Sequence, residues 1–304
     1  MVSELNVVTG AFGFTGRYIT HQLLALGKKV RTLTGHPERP NPFGNRVEVA
    51  PLDFDSPGQL VTALRGAAIL YNTYWVRFCY GSVTFEKAIA NTETLIRAAE
   101  QAGVARTVHL SVTHASQQSP LPYYKGKAAV EKAIVDSRLS YAILRPSLIF
   151  GVGDILINNI AWLLRRFPVF AIPGRGEYRL QPVFVEDVAQ LAVGAAHQLG
   201  NTIFDAAGPE VYTFKELVRL IAKTVRSRAR ILSAQPKVAL FLARLLGYAV
   251  GDVLLTPEEV DGLMANLLIS AGPPTGRTHF SAWLAANAHR VGIRYNSELA
   301  QHYR

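Results

Sequence analysis

Short apolar runs alternate with stretches of helical spacing along the first half of the chain. Val7 and Val8 begin a run that breaks at Gly10, Gly13 and Gly16, after which Tyr18, Ile19, Leu23, Leu24 and Leu26 recur at the intervals of one helix face. A buried strand, a glycine turn and a helix are predicted. Further runs predict strands at 29–34, 47–52, 67–71 and 107–110, with helices at 57–64, 85–102 and 123–131. A later strand is predicted at 203–207. Beyond it Thr213-Phe214-Lys215-Glu216 opens a helix with a threonine and a glutamate three places on, the capping-box pattern. Strands separated by helices imply a parallel sheet covered on both faces. The expected class is therefore α/β: a Rossmann doubly wound parallel sheet over 1–150, with 178–206 returning to it. Residues 151–177 and 207–304 form a smaller, mainly helical C-terminal lobe.

At a strand-to-helix turn Gly10 permits the bend, Gly13 lets backbone approach a ligand, and Gly16 lets the helix pack close to the sheet. Free amides of the first helical turn, among Phe12, Gly13, Phe14, Thr15, Gly16 and Arg17, favour an anion, typically a dinucleotide pyrophosphate. The plain alternative is an ordinary turn. About 20 residues later an acid at the end of the second strand would select NAD through the ribose 2′-hydroxyl. Thr34, Gly35 and His36 stand there instead, with Arg17, Arg31 and Arg39 nearby, so NADP is preferred over NAD. Asp53, ahead of Phe54, either holds the adenine amino group or caps the next helix. The segment Tyr71-Asn72-Thr73-Tyr74-Trp75 falls at the carboxyl edge of the sheet, where its aromatics either wall a pocket or simply pack.

Composition narrows the classes. About half the residues are aliphatic or aromatic, enough for a sizeable core, and Cys79 is the one cysteine, which excludes an internal disulfide framework. We expect a cytoplasmic protein without a secretion signal, and no apolar run reaches the roughly 20 residues of a membrane span. The net charge of +10 is scattered over Lys28-Lys29, Arg165-Arg166 and Arg226 to Arg230, without aromatic interleaving, so no nucleic-acid partner is expected. Dispersed histidines argue against a metal centre, and neither a glycine-flanked serine nucleophile nor a lysine-terminated phosphate loop occurs. Residues 236–255 are mostly apolar, broken by Arg244, Gly247, Gly251 and Asp252. We expect this stretch to bury itself against the C-terminal lobe; the alternative is a helix lying on a membrane.

Tyr123 and Lys127 are four apart on a predicted helix, hence on one face. An adjacent ammonium favours a phenolate, so Tyr123 could exchange the proton of an alcohol or carbonyl while a nicotinamide carries the hydride. The bland reading is a surface pair. Together these stretches resemble the short-chain dehydrogenase/reductase superfamily in its extended and atypical branch. Gly10-x-x-Gly13-x-x-Gly16, Asp53, Asn91, Ser111/Thr113, Tyr123-x-x-x-Lys127, Leu144-Arg145-Pro146-Ser147 and Val183 to Ala189 occur in that family's order. The resemblance implies Tyr123 as acid/base, Lys127 on the nicotinamide ribose, and Ser111 or Thr113 steadying the oxygen of a small-molecule substrate. It further implies Asn91 in a proton relay and Pro146-Ser147 beside the carboxamide. Within that superfamily the chain is similar to epimerase/dehydratase-like proteins and to the NADPH-carrying accessory subunit of respiratory complex I. Gly35, and Asn72-Thr73-Tyr74 after the fourth strand, depart from the usual pattern.

Overall fold

A computed structural model describes residues 4–303, apart from the side chain of His302. The opening forms as β1 (Leu5–Thr9) and α1 (Phe14–Ala25), with Val7 and Val8 completely buried. In chain order follow β2 (Lys29–Thr34), β3 (Val47–Pro51), α2 (Pro57–Leu64), β4 (Ala67–Asn72), α3 (Phe85–Ala102), β5 (Arg106–Leu110), α4 (Pro122–Val135) and β6 (Ser140–Pro146). Then come β7 (Leu148–Phe150), α5 (Leu156–Arg166), β8 (Val169–Pro173), β9 (Arg179–Leu180), β10 (Pro182–Phe184), α6 (Val185–Ala195) and β11 (Thr202–Ala206). The chain continues through β12 (Tyr212–Thr213), α7 (Phe214–Thr224), β13 (Arg230–Ala234) and α8 (Pro236–Val250). It ends with α9 (Pro257–Met264), α10 (Phe280–Ala286) and α11 (Glu298–His302).

Seven strands make the main sheet in the order β11-β6-β5-β4-β1-β2-β3, with every pairing from β6 to β3 parallel. The strand order reverses between β1 and β4. In an open sheet of this kind ligands bind outside the carboxyl ends of the strands at that reversal. Its core gathers Val7, Leu33, Leu70, Leu95, Val130 and Ile143 from strands and covering helices. Strand β6 was not among those expected. Its run Tyr141–Leu144 follows α4 after four residues, so local spacing does not part it from the helix, whereas pairing with β5 does.

The chain divides into two compact units, 1–146 with 185–205, and 147–184 with 206–304. The division falls at 146 and 184 rather than at the expected 150 and 178, because β7 pairs in parallel with β10 instead of extending the main sheet. The second unit adds the pairs β12–β9 and β13–β8, around a core of Phe150, Ile160, Leu217, Ile221, Phe280 and Trp283. Helix α7 has the expected capping box: Thr213 Oγ accepts from the Glu216 amide at 3.2 Å, and the Glu216 carboxylate accepts from the Thr213 amide at 2.8 Å. Helix α8 departs from expectation. Val238, Phe241, Leu242, Leu245 and Tyr248 are exposed, Leu240, Leu246 and Val250 are half-buried, and only Ala239 and Gly247 are fully buried. Among the described residues no helix is long and apolar enough to cross a membrane.

Candidate functional site

The turn after β1 is built by its glycines. Gly10 adopts a left-handed conformation, φ +67°, and donates its amide to the Leu33 carbonyl of β2 at 2.8 Å. A Cβ at Gly16 would lie 2.2 Å from the Gly10 carbonyl oxygen, so only glycine lets α1 press against the turn. The helical ladder starts with the Arg17 amide donating to the Gly13 carbonyl at 3.1 Å, which leaves the amides of Phe14, Thr15 and Gly16 ahead of it. No side chain caps this terminus, and its first turn carries no acidic residue. Four anion-accepting features thus coincide: orphan amides, a favourable dipole, no competing carboxylate and a close backbone. Phe12 stacks on Phe43 at 6.5 Å, Phe14 meets Tyr18 edge-on at 5.9 Å, and the Arg17 guanidinium lies 5.6 Å from the Tyr18 ring.

At the end of β2 the Thr34 hydroxyl accepts the His36 amide at 3.1 Å, and the Arg39 amide bonds the His36 carbonyl. His36 Nδ1 stands 3.5 Å from the Glu38 carboxylate. Arg31 is engaged elsewhere: it donates to the Ala63 carbonyl at 2.6 Å and to Glu48 at 3.0 Å. Asp53 accepts the Asp55 amide at 3.0 Å, a local turn ahead of α2, and Phe54 packs at 4.9 Å on the Tyr74 ring.

The carboxyl ends of β1 and β4 are laced together by polar side chains. The Thr9 hydroxyl donates to Asn72 Oδ1 at 3.2 Å and accepts the amides of Thr73 at 2.8 Å and Tyr74 at 3.1 Å. Thr73 returns a bond from its hydroxyl to the Thr9 carbonyl at 2.6 Å. Behind this lattice Asn72 Nδ2 stands 3.2 Å from Nδ1 of His109, which is wholly buried on β5. Burial, with the Lys127 charge second, holds the His109 imidazole well below its ordinary range, so it is neutral. Its Nε2 and the Trp75 indole nitrogen are buried without a hydrogen-bond partner. Asn91 donates to the Tyr74 hydroxyl at 2.9 Å, a partner to which its sequence position did not point.

Helix α4 carries the tyrosine and lysine. The Lys127 ammonium is buried, donates to the Leu110 carbonyl at the end of β5 at 2.8 Å, and lies 4.8 Å from the Trp75 ring. Desolvation brings its pKa down to about 7, against an opposing attraction from Glu131. Glu131 in turn holds Arg145 through two parallel bonds, one of 2.9 Å to Nε. Tyr123 is half-buried and meets Trp75 edge-on at 6.1 Å and Phe85 at 6.0 Å. The indole therefore touches both members of the pair. It fits because residue 126 is glycine: a Cβ there would stand 3.0 Å from the ring.

Ser111 and Thr113 are buried beyond β5, their amides bonded to the carbonyls of Leu144 and Pro146. The Ser111 hydroxyl is buried without a hydrogen-bond partner. Pro146 ends β6. Ser147 opens the second unit, where its hydroxyl donates to the Gln181 carbonyl. Sequence reasoning did not single out Thr9, His109 or the seat of Trp75. The polar residues inside otherwise apolar strands were the available signal for the first two.

Residues 10–150 match a family model described as NAD(P)H-binding. The chain is 26% identical over 283 residues to an Arabidopsis thaliana protein named NADH dehydrogenase [ubiquinone] 1 alpha subcomplex subunit 9, mitochondrial. That alignment covers 86% of this chain and 70% of the relative. Among solved structures it is similar to Citrobacter sp. triphenylmethane reductase complexed with NADP(H), with TM-score 0.75, 18% identity, and 93% and 99% of the two chains covered. A nucleoside-diphosphate-sugar epimerase from Staphylococcus aureus gives TM-score 0.71 at 18% identity, covering 97% and 98%. At these identities the solved structures speak for the fold.

Proposed function

We infer that this chain is an extended short-chain dehydrogenase/reductase and an NAD(P)-dependent oxidoreductase acting on an alcohol or carbonyl, with Tyr123 as acid/base and NADP as its preferred cofactor. The observation that carries the reading is the buried Lys127 ammonium, one helical turn after Tyr123 and tied to the carboxyl end of β5. A dinucleotide fits the residues at the other end of the site, where a Cβ at Gly16 would strike Gly10 and the first amides of α1 are uncapped. Phe14, Thr15 and Gly16 would hold the pyrophosphate through their amides, with Phe12 and Gly13 in the same turn. Thr34, His36, Arg39 and Arg17 would meet the adenosine ribose and its 2′-phosphate, Asp53 and Phe54 the adenine, and Asn72 and Pro146 the nicotinamide end.

When bound, the dinucleotide supplies the acceptor or donor of a hydride. Tyr123 moves the proton at the substrate oxygen through Oη. Lys127 stabilises the phenolate and binds ribose hydroxyls; with a pKa of about 7 it is half charged at neutrality, so any anionic neighbour draws it toward the ammonium. Ser111, whose buried hydroxyl lacks a partner, and Thr113 steady the substrate oxygen. Asn91 joins the proton path through Tyr74. A sugar-nucleotide epimerase or dehydratase would use the same groups.

A second reading, an NAD(P)H-binding protein without turnover, is favoured by the Trp75 indole lying on Lys127 and by the Arabidopsis relative named as a subunit of NADH dehydrogenase [ubiquinone]. Mass spectrometry of dinucleotide released from gently purified protein, followed by a carbonyl and quinone panel, separates the readings. Tyr123→Phe should keep NADPH affinity within about twofold and lose on the order of 100-fold in turnover. Tight NADPH binding with no turnover by the wild-type chain supports the second reading. Absence of any dinucleotide binding removes both.

A further inference from the structure

Helix α8 carries much of its apolar surface outward. A helix on the surface of a globular unit ordinarily turns its large apolar side chains inward. Here the fully buried positions are the small Ala239 and Gly247, with Leu240, Leu246 and Val250 half-buried, and a Cβ on Gly247 would stand 2.6 Å from the carbonyl oxygen of Asp252 in the turn that ends the helix. Val238, Phe241, Leu242, Leu245 and Tyr248 lie three and four residues apart along the outer face, with Phe241 61% and Tyr248 72% exposed. Leu232, on the strand that leads into the helix, is 51% exposed as well. A continuous stripe of this kind marks an interaction surface.

The charge around the stripe identifies what it faces. Between Leu220 and Glu258 the chain carries Lys223, Arg226, Arg228, Arg230, Lys237 and Arg244, against the single carboxylate Asp252. Asp252 is buried, where it accepts the Tyr295 hydroxyl and the amides of Glu298 and Leu299. None of the six cations is ion-paired among the described residues. Arg244 reaches along the helix to the Tyr248 hydroxyl at 3.2 Å, which sets its charge beside the apolar stripe. A helix of 15 residues is too short to span a bilayer, but an apolar face flanked by unpaired cations suits the headgroup boundary of an anionic one.

We propose that α8 docks the protein in the plane of an anionic lipid surface, Phe241, Leu242, Leu245 and Tyr248 entering the acyl boundary while Lys237 and Arg244 meet lipid phosphates. This rests on the second unit alone and is independent of catalysis by Tyr123. The test is co-sedimentation of the full chain with vesicles of phosphatidylcholine containing phosphatidylglycerol, beside pure phosphatidylcholine, at low and high salt. Binding should require the anionic lipid and weaken with salt. Phe241→Ser with Leu245→Ser should lower the partition coefficient by on the order of 100-fold, and Lys237→Gln and Arg244→Gln by about fivefold each. Thermal melting and NADPH binding of the variants serve as controls, since every substituted residue is exposed. No sedimentation at low salt overturns the proposal, as does sedimentation unchanged by the double serine variant. A concentration-dependent dimer that the same variant abolishes, without vesicle binding, would assign the stripe to a second copy and overturn it too.

Discussion

Replacing Lys127 by Met should change stability in a direction that depends on pH. In the folded chain burial brings the Lys127 amine from its ordinary 10.5 down to about 7. Because the unfolded chain binds that proton more readily, stability rises with pH between about 7 and 10.5 and is lost as pH falls through that window. At about 1.4 kcal/mol per pH unit, the native state carries a cost approaching ~5 kcal/mol at and below pH 7, and almost none near pH 10.5. Methionine keeps an unbranched apolar stem beneath Trp75 but leaves the Leu110 carbonyl without its donor, a pH-independent loss of roughly 1–3 kcal/mol. The variant should therefore be less stable than the wild type by up to ~2 kcal/mol near pH 10, equal to it about a unit lower, and more stable by ~1–3 kcal/mol at pH 7. Urea titrations of both proteins at pH 7, 8, 9 and 10, compared at each pH, isolate this one group from the other titrations. A difference that stays flat across the series, or that grows in the opposite direction, refutes the burial of a charged amine at this position.

Other substitutions test other parts of the reasoning. Gly16→Ala, whose Cβ would meet the Gly10 carbonyl at 2.2 Å, should cost ~2–4 kcal/mol and at least tenfold in NADPH affinity. Gly58→Ala, in a helix with nothing within 4 Å, should instead gain ~0.5–1 kcal/mol by chemical denaturation. Glu131→Gln removes one side of the paired bond to Arg145 and should cost about 3 kcal/mol; a loss under ~0.5 kcal/mol would mean the pair is solvated. Asp154 is buried and caps α5 through the amides of Ile157 and Asn158, with its pKa raised to about 7 by desolvation. Its protonated form is favoured by folding, so stability is present below pH 4 and lost as pH rises toward 7. Asp154→Asn should thus gain on the wild type between pH 4 and 7 in thermal melts, and a pH-independent difference would contradict this.

Local spacing determined a good deal. Gly10, Gly13 and Gly16 after two buried valines specified the turn, because a left-handed φ and a 2.2 Å approach admit no side chain. Thr213 and Glu216 specified a helix start, since capping needs only residues three apart. Tyr123 and Lys127 shared a helix as their spacing required. Each of these is a relation between near neighbours in sequence, so the chain carries it in plain order.

Partnership across the chain was decided only by tertiary structure. Arg31 reads as a cation near the cofactor loop, yet it bonds Ala63 and Glu48, residues brought beside β2 by the sheet. Trp75 reads as one aromatic among several, and its place against Lys127 depends on Gly126 leaving room. Helix α8 shows the division most plainly. Its apolar spacing is the same for a core helix and for an exposed one, yet Phe241, Leu245 and Tyr248 are exposed while Ala239 and Gly247 are buried. Periodicity fixes which side chains share a face, because a helix turns every 3.6 residues whatever surrounds it. Whether that face meets protein or solvent is settled by segments distant in sequence, since burial is a property of what packs against the helix.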